Sequence, residues 1–160
     1  MSAPTSRAVD WVPSPLRCEG EGEGHALEPG ERSFEVYVVY TNRSGTLAAL
    51  ATADRLARKL QARARLIMPY EVPYALALEH PAVPVKFLEE QLRALATHTS
   101  LEITGGIYLC RNKRHTLRIL LGPDSLVIVG GRKRWWPTAE QKLARALEQD
   151  GRHVIFAELR

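Results

Sequence analysis

Along residues 34–160, short apolar runs alternate with amphipathic stretches, and the alternation is regular enough to read as strands and helices in turn. Phe34-Glu35-Val36-Tyr37-Val38-Val39-Tyr40 is β-branched and aromatic with hardly a polar break, the pattern of a central parallel strand covered on both faces. Thr41 to Gly45 turn the chain, and Thr46 or Ser44 is placed to cap a helix whose Leu47, Leu50, Ala51, Ala57 and Leu60 follow a 3.6-residue period. Ala64 to Val72 predict a second strand, in which Pro69 removes a ladder donor and argues that the strand ends or bulges there. Beyond Pro73, Pro81 and Pro84, the spacing of Leu88, Leu92 and Leu95 predicts a helix over 85–97.

Leu101 to Cys110 form the third predicted strand, with Gly105-Gly106 pointing to a bulge or a close backbone approach. A short helix through Leu117 and Leu120 stops at Gly122-Pro123. Ser125 to Val129 make a fourth strand, and Gly130-Gly131 read as a turn into the basic-aromatic loop Arg132-Lys133-Arg134-Trp135-Trp136. Thr138 and Gln141 have capping-box spacing ahead of a helix that buries Leu143, Ala144, Ala146 and Leu147, and His153 to Leu159 supply a fifth strand. A βαβαβαβαβ order with short links predicts an α/β fold: a parallel sheet joined by right-handed crossovers, with helices on both faces.

Composition divides the chain in two. Residues 1–32 are rich in Pro, Gly, Ser and Glu and read as a disordered acidic tail, leaving 33–160 as one folded domain. That tail holds three Lys+Arg against six Asp+Glu, so 33–160 holds nineteen against twelve, and the folded part is basic. A basic domain favours anionic partners: phosphates, nucleotides, nucleic acid or an anionic membrane surface. Cys18 and Cys110 lack metal-ligand or disulfide spacing, no apolar run is long enough to span a bilayer, and no signal-peptide pattern opens the chain. A cytoplasmic protein is the expectation. The five histidines show no metal spacing, and no catalytic set assembles from the sequence, so neither a metal, a cofactor nor an enzymatic activity is expected.

The chain resembles the universal stress protein family over residues 34–160. The likeness rests on the helix Thr46-Leu47-Ala48-Ala49-Leu50 continuing to Ala53, Leu56-Ala57 and Ala62, on the long second connection before a second amphipathic helix, on Asp124-Ser125-Leu126-Val127-Ile128-Val129-Gly130-Gly131-Arg132, and on the short final strand. It implies a Rossmann-like three-layer fold with strand order 3-2-1-4-5, a ligand crevice between strands 1 and 4, and often a dimer. Nucleotide-binding members carry an acidic residue after the first strand and a G-x-x-G-x9-G-[ST] segment after the fourth. Here the first position falls at Thr41 or Asn42, and counting from Gly130 places Lys133 and Leu143 where the later glycines belong. The departure predicts that the usual ATP site is lost.

The functional expectation is a non-catalytic, stress-type regulatory protein whose crevice binds an anion or a nucleotide in an altered way. Thr41, Asn42, Arg43, Gly130, Gly131, Arg132, Lys133 and Arg134 are its candidate ligand residues, because glycine allows close approach of backbone N–H groups and fixed cations hold anions. Trp135 and Trp136 suit a stacking platform for single-stranded nucleic acid or an interfacial membrane anchor. The size of the rings favours packing on the neighbouring helix or on a partner subunit. The alternative function is therefore a nucleic-acid-binding module using Arg132 to Trp136. A second basic cluster, Arg111, Lys113, Arg114 and His115, reads as a solvated helix start. The apolar fifth strand at a sheet edge predicts a homodimer through that strand.

Overall fold

The structure, a computed structural model, describes residues 34–160. The expected tail, with Trp11 and Cys18, lies outside the described residues. Strands and helices alternate: β1 (Glu35–Val39), α1 (Arg43–Leu60), β2 (Arg63–Glu71), α2 (Val85–Ala96), β3 (Ile103–Cys110), α3 (Lys113–Leu120), β4 (Leu126–Gly131), α4 (Ala139–Gln149) and β5 (His153–Glu158). All strand pairs are parallel and the order is β3-β2-β1-β4-β5, the Rossmann-like arrangement expected.

Two apolar layers hold the sheet between its helices. On one face Val36, Val38, Leu66 and Ile128 pack with Leu50 of α1 and Leu88, Leu92 and Leu95 of α2. On the other, Val39, Ile67, Val127 and Val129 pack with Leu117 of α3 and with Ala144 and Leu147 of α4. Alternation along each strand sends successive side chains to opposite layers, which is why the central strands carry no polar face. In α1 the buried residues include Gly45, Ala49, Ala53 and Ala57, a four-residue spacing that keeps one side of the helix small and lets its axis lie close on the sheet.

Four local expectations change. Asn42, not Thr46 or Ser44, caps α1: its backbone is extended and its Oδ1 accepts from Gly45 N–H at 2.8 Å. Thr46 is instead fully buried, and its hydroxyl accepts from Thr41 N–H at 3.2 Å. Pro69 neither ends nor bulges β2, which runs on to Glu71 in unbroken register with β3. The reason is directional. Ile67 faces β1, since its carbonyl accepts from Tyr40 N–H; Pro69, two residues on, faces the same way, where β1 has already stopped, so the missing donor leaves no rung broken.

Gly105 and Gly106 likewise form no bulge and pair directly with Leu66 and Ile67. At Gly106 the space a side chain would take is filled by the Tyr108 ring, with atoms 3.1 to 3.3 Å from a Cβ position. Gly130 and Gly131 are the last two residues of β4 rather than a turn.

Candidate functional site

In a sheet of this order, β1 and β4 are neighbours whose outgoing connections lead to opposite faces, so the crevice between their carboxyl ends is where a ligand is expected. Here the start of α1 and the end of β4 come into direct contact. The first turn of α1 presses Gly45 against Gly130: a Cβ built on Gly130 would run into the Gly45 carbonyl, and one on Gly45 would run into the Gly130 carbonyl. Only two glycines allow backbones to approach so closely. Thr41 seals the contact by donating its hydroxyl to the Gly130 carbonyl at 2.8 Å.

The next residue, Gly131, is buried under α4 and β5. A Cβ there would stand 2.8 Å from Glu140 Cβ and 3.3 Å from the Phe156 ring, and the Gly131 carbonyl accepts from Leu159 N–H at 2.9 Å. Across the top, Asn42 Nδ2 donates to Glu140 Oε1 at 2.9 Å and ties the start of α1 to the start of α4. Burial pushes the Glu140 carboxyl up, but hydrogen bonds from its own backbone N–H, Thr138 and Asn42 outweigh that and hold it below the usual range. Glu140, Gly45 and Thr46 belong to this junction and were not among the candidate ligand residues; Thr46 was expected only as a cap. Glu140 is at the second position of a capped helix, a common place for a first-turn acid, and nothing in the linear order ties it to Asn42.

Of the expected ligand residues, the fold thus brings together Thr41, Asn42, Gly130 and Gly131. Arg43 turns elsewhere. With Tyr40 it lines a cavity of about 250 Å³ against Phe87, Glu90, Gln91 and Leu95 of α2. Arg132, Lys133 and Arg134 are exposed in the loop after β4, and their side chains make no hydrogen bond or ion pair among the described residues. The expected packing of the tryptophans on a neighbouring helix is not what the chain shows. Trp135 is 91% exposed and Trp136 79%. The loop joins a strand end packed under α4 to a helix whose capping box fixes its start, and the rings stand out from both.

In the second basic cluster Lys113 and His115 are exposed, as a solvated helix start requires, while the two arginines are engaged in structure. Arg111 donates to the carbonyls of Val72, Pro73 and Leu76 at 2.9, 2.6 and 2.9 Å and lies over the Tyr74 ring, holding the long β2–α2 connection. Arg114 forks onto Asp150 at 3.1 and 3.0 Å, which holds that carboxyl below the usual range. Among the described residues, no group of three His, Cys, Asp or Glu is placed to hold a metal, and no helix is long and apolar enough to cross a membrane.

Solved structures with the same arrangement settle the fold. A universal stress protein from Archaeoglobus fulgidus matches with a TM-score of 0.54 at 10% identity, covering 78% of this chain and 93% of its own. The fold is that of the universal stress proteins. A universal stress protein in complex with cAMP is also similar, with a TM-score of 0.50 at 12% identity over 80% of this chain and 98% of that one. No protein-family model matches the chain, and no curated protein does. At this identity the likeness speaks for the universal stress protein fold alone, and the chemistry of the site rests on the residues described above.

Proposed function

We propose that the protein is a non-catalytic regulatory protein of the universal stress type, in which the usual ATP site is lost and the mouth of the β1–β4 crevice takes a smaller anion. The observation that carries this reading is the Gly45–Gly130 contact. A phosphate cradle needs backbone N–H groups with open space before them. At this strand end the first turn of α1 takes the side-chain position of Gly130, and the Gly130 carbonyl is taken by Thr41, which supports a junction built for packing rather than for a polyphosphate. The ionised Glu140 beside Asn42 adds a fixed negative charge that opposes a polyphosphate chain.

Arg132, Lys133 and Arg134 then hold the anion from the loop, while Arg43, turned toward α2, takes no part. A protein of similar fold bound to cAMP makes a small phosphate-bearing molecule the first class to try. The carboxylate at the junction is committed to hydrogen bonds, which supports a binding rather than a catalytic role. The working unit is a homodimer through β5. The side chains of that strand are largely used within the chain, Ile155 on the α1 side and Val154 and Phe156 on the α4 side, so the dimer rests on the open backbone edge of the strand.

Calorimetry with inorganic phosphate, cAMP and ATP tests the reading. Saturable phosphate or cAMP binding, weakened several-fold by Arg132→Gln with Lys133→Gln, is expected, together with no micromolar ATP binding. Micromolar ATP affinity would overturn it. Light scattering across a concentration series checks the dimer, and a monomer mass throughout would remove that part.

A further inference from the structure

We propose that the loop Arg132 to Trp136 is a reversible anchor for an anionic lipid bilayer. Its base is closed on both sides. At one end Gly131 is the last residue of β4 and its carbonyl accepts from Leu159 N–H. At the other, Thr138 starts α4 in a full capping box: its hydroxyl oxygen accepts from Gln141 N–H, and its own N–H donates to the Gln141 side-chain oxygen. The Thr138 hydroxyl also reaches the Arg132 carbonyl at 3.4 Å, across the mouth of the loop. The residues between are therefore presented by fixed supports, with Trp135 and Trp136 91% and 79% exposed at the tip.

Two adjacent indoles with so little contact to their own chain are a surface waiting for an apolar partner. The three residues before them are cations whose side chains have no partner among the described residues. That pairing matches the bilayer interface, where indoles settle at headgroup depth with one edge in the acyl boundary, and Lys and Arg side chains meet lipid phosphates. The basic excess of residues 33–160 draws the molecule to the same surface from a distance.

Single-stranded nucleic acid needs more than a tip. Its phosphates follow a basic groove while successive bases stack on spaced rings. Here both rings and all three cations fall within five consecutive residues, and the cavity on the α1–α2 side is lined by Glu90 and includes no part of the loop. The inference shares with the proposed function only the affinity of Arg132, Lys133 and Arg134 for anions; the tryptophans are independent of it.

The test uses the full chain carrying Trp11→Phe, so that Trp135 and Trp136 are the only indoles. It is floated with vesicles of phosphatidylcholine alone and with vesicles of phosphatidylcholine and phosphatidylglycerol in equal parts. The protein is expected to float with the anionic vesicles, with a blue shift of indole emission and quenching by brominated acyl chains. Partitioning should fall about tenfold or more both for Trp135→Ser with Trp136→Ser and for Arg132→Gln with Lys133→Gln and Arg134→Gln, with the circular dichroism unchanged.

Absence of flotation, or flotation that survives loss of both indoles, would overturn the proposal. So would saturable quenching by oligothymidylate without vesicle binding, which would assign the loop to nucleic acid. Vesicle binding without free-phosphate binding would remove the proposed function and leave this inference standing; phosphate binding without vesicle binding would do the reverse.

Discussion

Gly130 and Gly131 on one side, and Arg132 to Trp136 on the other, are adjacent in sequence and opposite in environment. The glycines are buried, and their carbonyls are taken by Thr41 and Leu159. The five residues that follow are exposed. A glycine pair at the end of a strand in this fold invites comparison with a phosphate cradle. Here the missing side chains let a helix start touch a strand end, while the loop beside it stands free of the rest of the described chain.

Substitutions at the junction should be far more damaging than substitutions in the loop. Gly130→Ala puts a methyl group against the backbone of Gly45 and within 3.1 Å of Ala49 N, neither of which can yield without moving α1. It should lose about 3 kcal/mol or more in urea unfolding. Gly131→Ala meets Glu140 Cβ at 2.8 Å and the Phe156 ring at 3.3 Å, a milder clash than the one with the Gly45 carbonyl, and should lose less. Equal losses at the two positions would mean that the Gly45 contact is not special.

Thr41→Val comes next. It removes the donor that satisfies the buried Gly130 carbonyl and should cost about 1 to 3 kcal/mol in the same unfolding experiment. Glu140→Gln is smaller still. Because the folded carboxyl lies below its usual range, the stability it contributes is present above the ordinary carboxylate range and disappears as pH falls through the folded value. The variant should therefore be weaker than the parent by roughly a few tenths of a kcal/mol at neutral pH and equal to it in strong acid, the effect being small because the group is partly open to water. A gap that widens on acidification would contradict the junction as drawn. In the loop, Trp135→Ser with Trp136→Ser should leave stability within about 0.5 kcal/mol of the parent.

The fold was legible in the sequence because it depends on periodicities that survive without tertiary knowledge. The apolar runs of β1 and β4, the leucine spacing of α2 and the Thr138–Gln141 box all describe local structure, and local structure is what the linear order encodes. The departures came where a residue answers to something far away. Pro69 sits without harm in β2 because β1 is shorter, and Gly106 makes room for Tyr108 rather than for a bulge.

The candidate site was half legible for the same reason. Thr41, Asn42, Gly130 and Gly131 do meet, but their partners Gly45, Thr46 and Glu140 come from two helices that only the folded chain brings to one place. The cap of α1 shows the limit well. Asn42, Ser44 and Thr46 are all good caps by type, and Thr46 is withdrawn from the choice only by its burial against the sheet.

The closed junction is tested most directly by following backbone amide resonances of the folded chain during titration with ATP. Gly45, Gly130 and Gly131 are expected not to shift, with any response confined to Arg132, Lys133 and Arg134. Saturating shifts at the three glycines at micromolar ATP would show that the crevice opens to nucleotide and would contradict it.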